Sequence, residues 1–88
     1  METNFIHAQI WGKPNCPYCD RAKALCQSEG INYIYYQLDE DFTREELLEL
    51  FPNARTFPQI KFDDIHVGGY DDLDKFIRSH IYLQEDNE

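Results

Sequence analysis

Within the first 38 residues the hydrophobic pattern changes period twice, and that change fixes the unit on which the rest of the chain must be built. Phe5 to Trp11 alternates, with Ile6, Ala8 and Ile10 on one side and His7 and Gln9 on the other, as a strand with one buried face requires. Gly12-Lys13-Pro14-Asn15 is a loop by composition. Beyond it Pro17 suits the first turn of a helix, Cys19, Ala22, Leu25 and Cys26 recur at helical spacing, and Gly30 suits the C-terminal cap. Residues 32–38, rich in aromatic and β-branched types, return to strand. Two strands joined through one helix run parallel through a right-handed crossover. Later elements can only add to that sheet or cover its faces.

An acidic helix follows. Thr43 with Glu46 forms a capping box, Phe42 can staple onto Leu47 across it, and Leu47, Leu48, Leu50 and Phe51 supply a buried stripe that Pro52 ends. Pro58 to Phe62, an Asp63-Asp64 turn and Ile65-His66-Val67 form a hairpin, which adds antiparallel strands to the sheet. Gly68-Gly69 closes that edge, and Leu73, Phe76, Ile77 and Ile81 define a last amphipathic helix. The order β-α-β-α-β-β-α predicts an α/β fold, a four-stranded mixed sheet flanked by three helices. Such sheets bind ligands beyond the carboxyl ends of their parallel strands, which is where the loop holding Lys13 and Cys16 falls.

The chain has 88 residues, enough for one modest core and no second domain, so residues 1–88 are expected to form a single unit with an acidic, fraying tail at 84–88. An apolar fraction of 42% excludes disorder. The net charge of −9 argues against nucleic acid, whose phosphates need a basic face, and against anionic lipid. No apolar run reaches membrane-spanning length, and the first residues carry no secretory pattern, so the expected setting is cytoplasmic.

In a reducing compartment, paired cysteines serve redox chemistry or metals more often than structural disulfides. Cys16-Pro17-Tyr18-Cys19 places Cys16 at a helix N-terminus, where free backbone N–H groups and the positive end of the dipole favour thiolate over thiol. Lys13 and Arg21 add positive charge, so the Cys16 thiol is expected well below its ordinary value of about 8.5. Cys19 lies one turn further in. Cys16 is therefore the attacking thiol and Cys19 the resolving one, cycling between dithiol and disulfide through a mixed intermediate. Zinc is disfavoured: Cys16, Cys19 and Cys26 lack a second cysteine set, and His7, His66 and His80 offer no ligand-pair spacing. Cys26 shares the buried helix face and is read as a small apolar residue, with a regulatory thiol as the alternative. The histidines receive no catalytic role. Trp11 and the tyrosines at 33 to 36 are read as core and sheet surface, since no basic groove accompanies them.

Three separated motifs, in order and spacing, resemble the glutaredoxins: Lys13-Pro14-Asn15-Cys16-Pro17-Tyr18-Cys19, then Ala54-Arg55-Thr56-Phe57-Pro58-Gln59-Ile60, then Val67-Gly68-Gly69-Tyr70-Asp71-Asp72-Leu73. The resemblance spans roughly residues 5 to 82. It implies a thioredoxin fold, glutathione as reductant with no metal, and a monomer that reduces disulfides and protein-glutathione mixed disulfides, ribonucleotide reductase included. It also implies a cis peptide bond before Pro58, which turns the Phe57 backbone outward to pair with an extended thiol peptide. By resemblance Lys13 and Arg55 take the glycine carboxylate of glutathione, the Thr56-Phe57 backbone with Pro58 holds the cysteinyl part, and Tyr18 flanks the sulfur. Gly69, Tyr70, Asp71 and Asp72 take the γ-glutamyl end, where helix N–H groups suit a carboxylate and Asp72 an ammonium. On spacing alone, Asp71 or Asp72 equally suits a helix cap.

Two features depart from the family pattern. Trp11-Gly12 stands where Tyr followed by Ser or Thr is usual, and Phe57 stands where a smaller aliphatic residue is usual. Both bear on substrate preference. Two related readings stay open beside the main one: a redoxin reduced by thioredoxin reductase, and an iron-sulfur carrier holding a cluster between two subunits. Pro17 and Tyr18 argue against the second, because cluster-binding relatives carry smaller residues there. Lys13, Arg21, Lys23 and Arg55, four of the eight basic residues, are expected to gather around Cys16 and set a positive mouth in an acidic body.

Overall fold

The computed structural model describes the backbone of residues 7–86 and side chains through Ser79. The expected strand positions Phe5 and Ile6, the Ile81 side chain and the final residues 87 and 88 lie outside that description. The elements are β1 (His7–Gly12), α1 (Pro17–Ser28), β2 (Asn32–Gln37), α2 (Arg44–Leu50), β3 (Gln59–Phe62), β4 (Ile65–Gly68) and α3 (Tyr70–Asp86), in the predicted order. The last helix continues through Gln84 to Asp86, two residues short of the end, where the sequence suggested a frayed tail.

The sheet runs β2-β1-β3-β4. β1 pairs with β2 in parallel, Ala8 opposite Tyr33 and Ile10 opposite Tyr35. It pairs with β3 antiparallel, Ile10 opposite Ile60. β3 and β4 form the hairpin, with a register shift between Ile60 and Lys61 and Asp63 in the turn at φ 54°. The thioredoxin-fold reading therefore holds, and β1 is central, paired along both edges; its alternation is clean because Ala8 and Ile10 are fully buried while His7 and Gln9 on the opposite face are only half-buried.

Alternate residues of β1 face two separate cores. Ala8 and Ile10 join Ala22 and Cys26 of α1, Ile60 and Phe62 of β3, and Leu73 and Ile77 of α3. Trp11 joins Leu38, Phe42, Leu47 and Phe51 on the side of α2. Trp11 sits 5.0 Å from the Tyr36 ring and 5.2 Å from the Phe51 ring, so it is a core residue, as its position suggested. Each core is small, which suits the modest burial open to a chain of this size.

The local signals behave as chemistry dictates. Thr43 accepts from the Glu46 N–H at 3.2 Å while the Glu46 carboxylate accepts from the Thr43 N–H at 2.9 Å, completing the capping box. Gly30, at φ +69°, ends α1 in the left-handed conformation that glycine adopts without a Cβ penalty. The α2 stripe is narrower than expected: Leu47 and Phe51 are buried, while Leu48 is 47% and Leu50 52% exposed. Residues four apart lie on one line of a helix, whereas Leu48 and Leu50 project from its other sides. A seven-residue helix that packs along one side only buries that single line.

Candidate functional site

The site assembles where the first parallel strand ends. β1 releases the chain at Gly12, Asn15 turns it at φ 56°, and Pro17 begins α1, leaving Cys16 as the N-cap. Its sulfur occupies the cap position and accepts the Cys19 backbone N–H at 3.1 Å. Cys16 and Cys19 are joined as a disulfide, with Cα atoms 5.2 Å apart. Cys16 is 7% exposed and Cys19 fully buried, the asymmetry expected of an outer and an inner thiol. Cys26 is fully buried in the α1–α3 core, and burial pushes its thiol up to about 11.

The Phe57-Pro58 bond is cis, as the resemblance implied. Pro58 is among the most deeply buried side chains, and Phe57 packs 6.3 Å from the Phe42 ring. The Lys13 ammonium stands 5.5 Å from the Phe57 ring centroid and the Arg44 guanidinium 5.7 Å, within cation–π range. Arg44 was not anticipated. Its signal was its place directly after the Thr43 cap, which fixes where the first side chain of α2 emerges. Thr56 and Arg55 are exposed on the loop before Phe57.

The third segment lies against the second. A Cβ placed on Gly69 would sit 3.6 Å from the Pro58 carbonyl oxygen, and Gly68 pairs with Ile60 across the hairpin. Gly68 has φ +121°, and a side chain there would strike the Asp72 carboxylate. That carboxylate accepts from the Gly69 N–H at 3.3 Å, so Asp72 ties down the start of α3 while staying exposed, as does Asp71. The Tyr70 ring lies 6.0 Å from that of Tyr18, which is 49% exposed and also carries Arg21 at 4.9 Å. This contact joins the N-termini of α1 and α3 across the opening.

Of the cations expected around Cys16, Lys13 lies over the Phe57 ring and Arg21 over the Tyr18 ring. Lys23 lies over the Tyr35 ring at 4.2 Å and 3.7 Å from Asp20, one helical turn back. Arg44 joins Lys13 beside Phe57. Among the described residues no three His, Cys, Asp or Glu side chains converge as a metal site, and no helix is long and apolar enough to cross a membrane.

A cysteine pair capping the helix after the central strand, facing a cis-proline loop, defines a thiol-disulfide oxidoreductase of thioredoxin fold. The family profile of the glutaredoxins matches residues 8–67. Glutaredoxin 3 of Escherichia coli (strain K12) is 39% identical over 67 residues, covering 76% of this chain and 81% of that protein. The solved structure of reduced Escherichia coli glutaredoxin superposes with a TM-score of 0.73 at 32% identity, over 85% of this chain and 96% of that one. The buckwheat glutaredoxin-glutathione complex superposes with a TM-score of 0.72 at 26% identity, over 85% and 71%. The chain belongs to the glutaredoxin family, and its Cys16-Cys19 pair is a redox-active disulfide.

Proposed function

We propose that this glutaredoxin uses glutathione to reduce protein disulfides and protein-glutathione mixed disulfides. The observation that carries the reading is the Cys16 sulfur, held at the N-cap of α1 as acceptor of the Cys19 N–H. A site that hydrogen-bonds the sulfur and surrounds it with helix-end positive potential favours the thiolate, the form that attacks. The Cys16 thiolate displaces the protein thiolate from a mixed disulfide, forming a Cys16–glutathione bond as the substrate bond breaks. A second glutathione thiolate then attacks that adduct, releasing oxidised glutathione and restoring Cys16. With an intramolecular protein disulfide, Cys19 resolves the adduct instead, and two glutathiones reopen the Cys16-Cys19 bond.

On this reading the tripeptide lies across the three segments. Lys13 and Arg55 attract its glycine carboxylate, the Thr56-Phe57 backbone beside Pro58 receives the cysteinyl part, and Tyr18 covers the sulfur. The γ-glutamyl end meets Gly69, Tyr70, Asp71 and Asp72, the N–H groups of α3 taking the carboxylate and Asp72 the ammonium. That the buckwheat relative is solved with glutathione supports glutathione as the ligand. The setting is the cytoplasm, where thiols are kept reduced, and the protein substrates include ribonucleotide reductase. Turnover of a glutathionylated peptide, coupled to glutathione reductase and NADPH, tests the reading. Saturable turnover is expected; reduction only by thioredoxin reductase would overturn glutathione dependence.

A further inference from the structure

Gln59, directly after the cis-proline, is the buried polar side chain of the described core, 5% exposed. Both ends of its amide are engaged. Nε2 donates to the Thr56 carbonyl at 2.8 Å, and Oε1 lies 2.8 Å from His66 Nε2. A backbone carbonyl can only accept, so the amide turns its NH2 to Thr56 and its oxygen to the ring. His66 Nε2 is therefore the donor. The imidazole is stacked on Phe51, the C-cap of α2, with centroids 4.1 Å apart and planes 28° apart. A chain of contacts thus runs from the end of α2 through β4 to the loop before Pro58.

The Thr56 carbonyl and the Phe57 N–H belong to one planar trans peptide unit and point to opposite sides. Holding the carbonyl toward Gln59 aims the Phe57 N–H the other way. That N–H donates to no acceptor among the described residues. Backbone donors are rarely left without a partner, so a clamped, free N–H in the loop that Lys13 of the cysteine segment rests on is prepared for a ligand carbonyl.

We propose that Gln59 and His66 are positioning residues of the site: the His66–Gln59–Thr56 relay locks the peptide plane that presents the Phe57 N–H to the cysteinyl part of the incoming substrate. The inference rests on the reading that substrate backbone pairs at Phe57. Neither residue touches the reacting sulfurs. A group that orients a binding donor acts alike on ground and transition state, so its loss appears in KM with the saturated rate preserved.

Two substitutions at the exposed His66 separate relay from packing. His66→Phe keeps a ring on Phe51 and removes the donor, whereas His66→Gln keeps a donor of similar reach and removes the ring. With a glutathionylated peptide as substrate for the full chain, His66→Phe should raise KM about three- to tenfold, the effect of one net hydrogen bond. His66→Gln should stay within about twofold of the parent. Equal KM for His66→Phe and the parent, or a larger loss in His66→Gln than in His66→Phe, overturns the relay. The backbone amide resonance of Phe57 should shift in His66→Phe, and an unmoved resonance also overturns it. Absence of saturable turnover in the parent would instead sink the glutathione reading, because the Phe57 resonance reports the relay without substrate.

Discussion

The Cys19 backbone N–H points at the Cys16 sulfur from 3.1 Å, one turn inside the helix that Cys16 caps. A hydrogen bond to the charged form lowers a thiol's pKa, and the helix end acts in the same direction. Thiolate absorbance of the reduced protein is therefore expected to titrate with a midpoint well below about 8.5; a midpoint at that value would contradict the mechanism. Cys16→Ser should abolish glutathione-dependent turnover. Cys19→Ser should keep part of the activity on mixed disulfides while losing that on intramolecular disulfides, since only the second route needs a resolving thiol.

Burial separates the third cysteine from the pair. With its thiol pushed up to about 11 and no surface exposed, Cys26 holds almost no thiolate at neutral pH. Iodoacetamide at pH 7 should label Cys16 of the reduced native protein and leave Cys26 unmodified until denaturant is added. Rapid native labelling of Cys26 would revive the regulatory thiol.

His66 predicts an acid limb in stability. Burial and the Lys61 ammonium of β3 lower its pKa, partly offset by the Asp72 carboxylate of α3. The unfolded chain therefore takes up the proton first, near about 6.5, so its contribution is complete above that pH and is lost as pH falls through the folded value. Chemical denaturation at pH 7.5 and pH 5 should show a smaller loss of stability in His66→Gln than in the parent. Asp72→Asn removes the raising influence and should move the His66 ring titration further down.

Two substitutions compare core with cap. Leu73 is fully buried between α3 and the sheet, and Leu73→Ala should cost roughly 2 to 5 kcal/mol in urea unfolding. Thr43→Ala removes one half of the α2 capping box and should cost about 0.5 to 2 kcal/mol. Arg44 follows that cap directly, so the same variant should loosen the cation beside Phe57.

Much of this was legible because it is local. Cap chemistry at Thr43 and Glu46, the proline after Cys16 and the glycine after α1 each act within a few residues, so sequence spacing is sufficient. The period of β1 could be read because Ala8 and Ile10 meet a core while His7 and Gln9 on the opposite face stay half-buried. Leu48 and Leu50 misled, since how much of a short helix is buried depends on the number of its neighbours. Arg44 over Phe57 and Lys23 over Tyr35 escaped for a similar reason: an aromatic ring brought near by the fold decides where a long cationic side chain rests. The His66–Gln59 contact lay hidden because it depends on the β3–β4 hairpin, and its stacking on Phe51 depends on where α2 ends. The family motifs located three segments of the site, but neither Gln59 nor His66 had been given a role.

Gly12 holds open a space that Tyr35 fills. A Cβ there would run into the Tyr35 hydroxyl and lie 2.7 Å from its Cζ, too close for either group to remain. The two positions are therefore sterically coupled: the Tyr35 phenol keeps this seat only while position 12 carries no side chain. Gly12→Ser alone crowds the strand that delivers the cysteine loop, while the same change paired with a smaller residue at Tyr35 restores room. A side chain introduced at position 12 is thus accommodated only by a matching retreat at position 35.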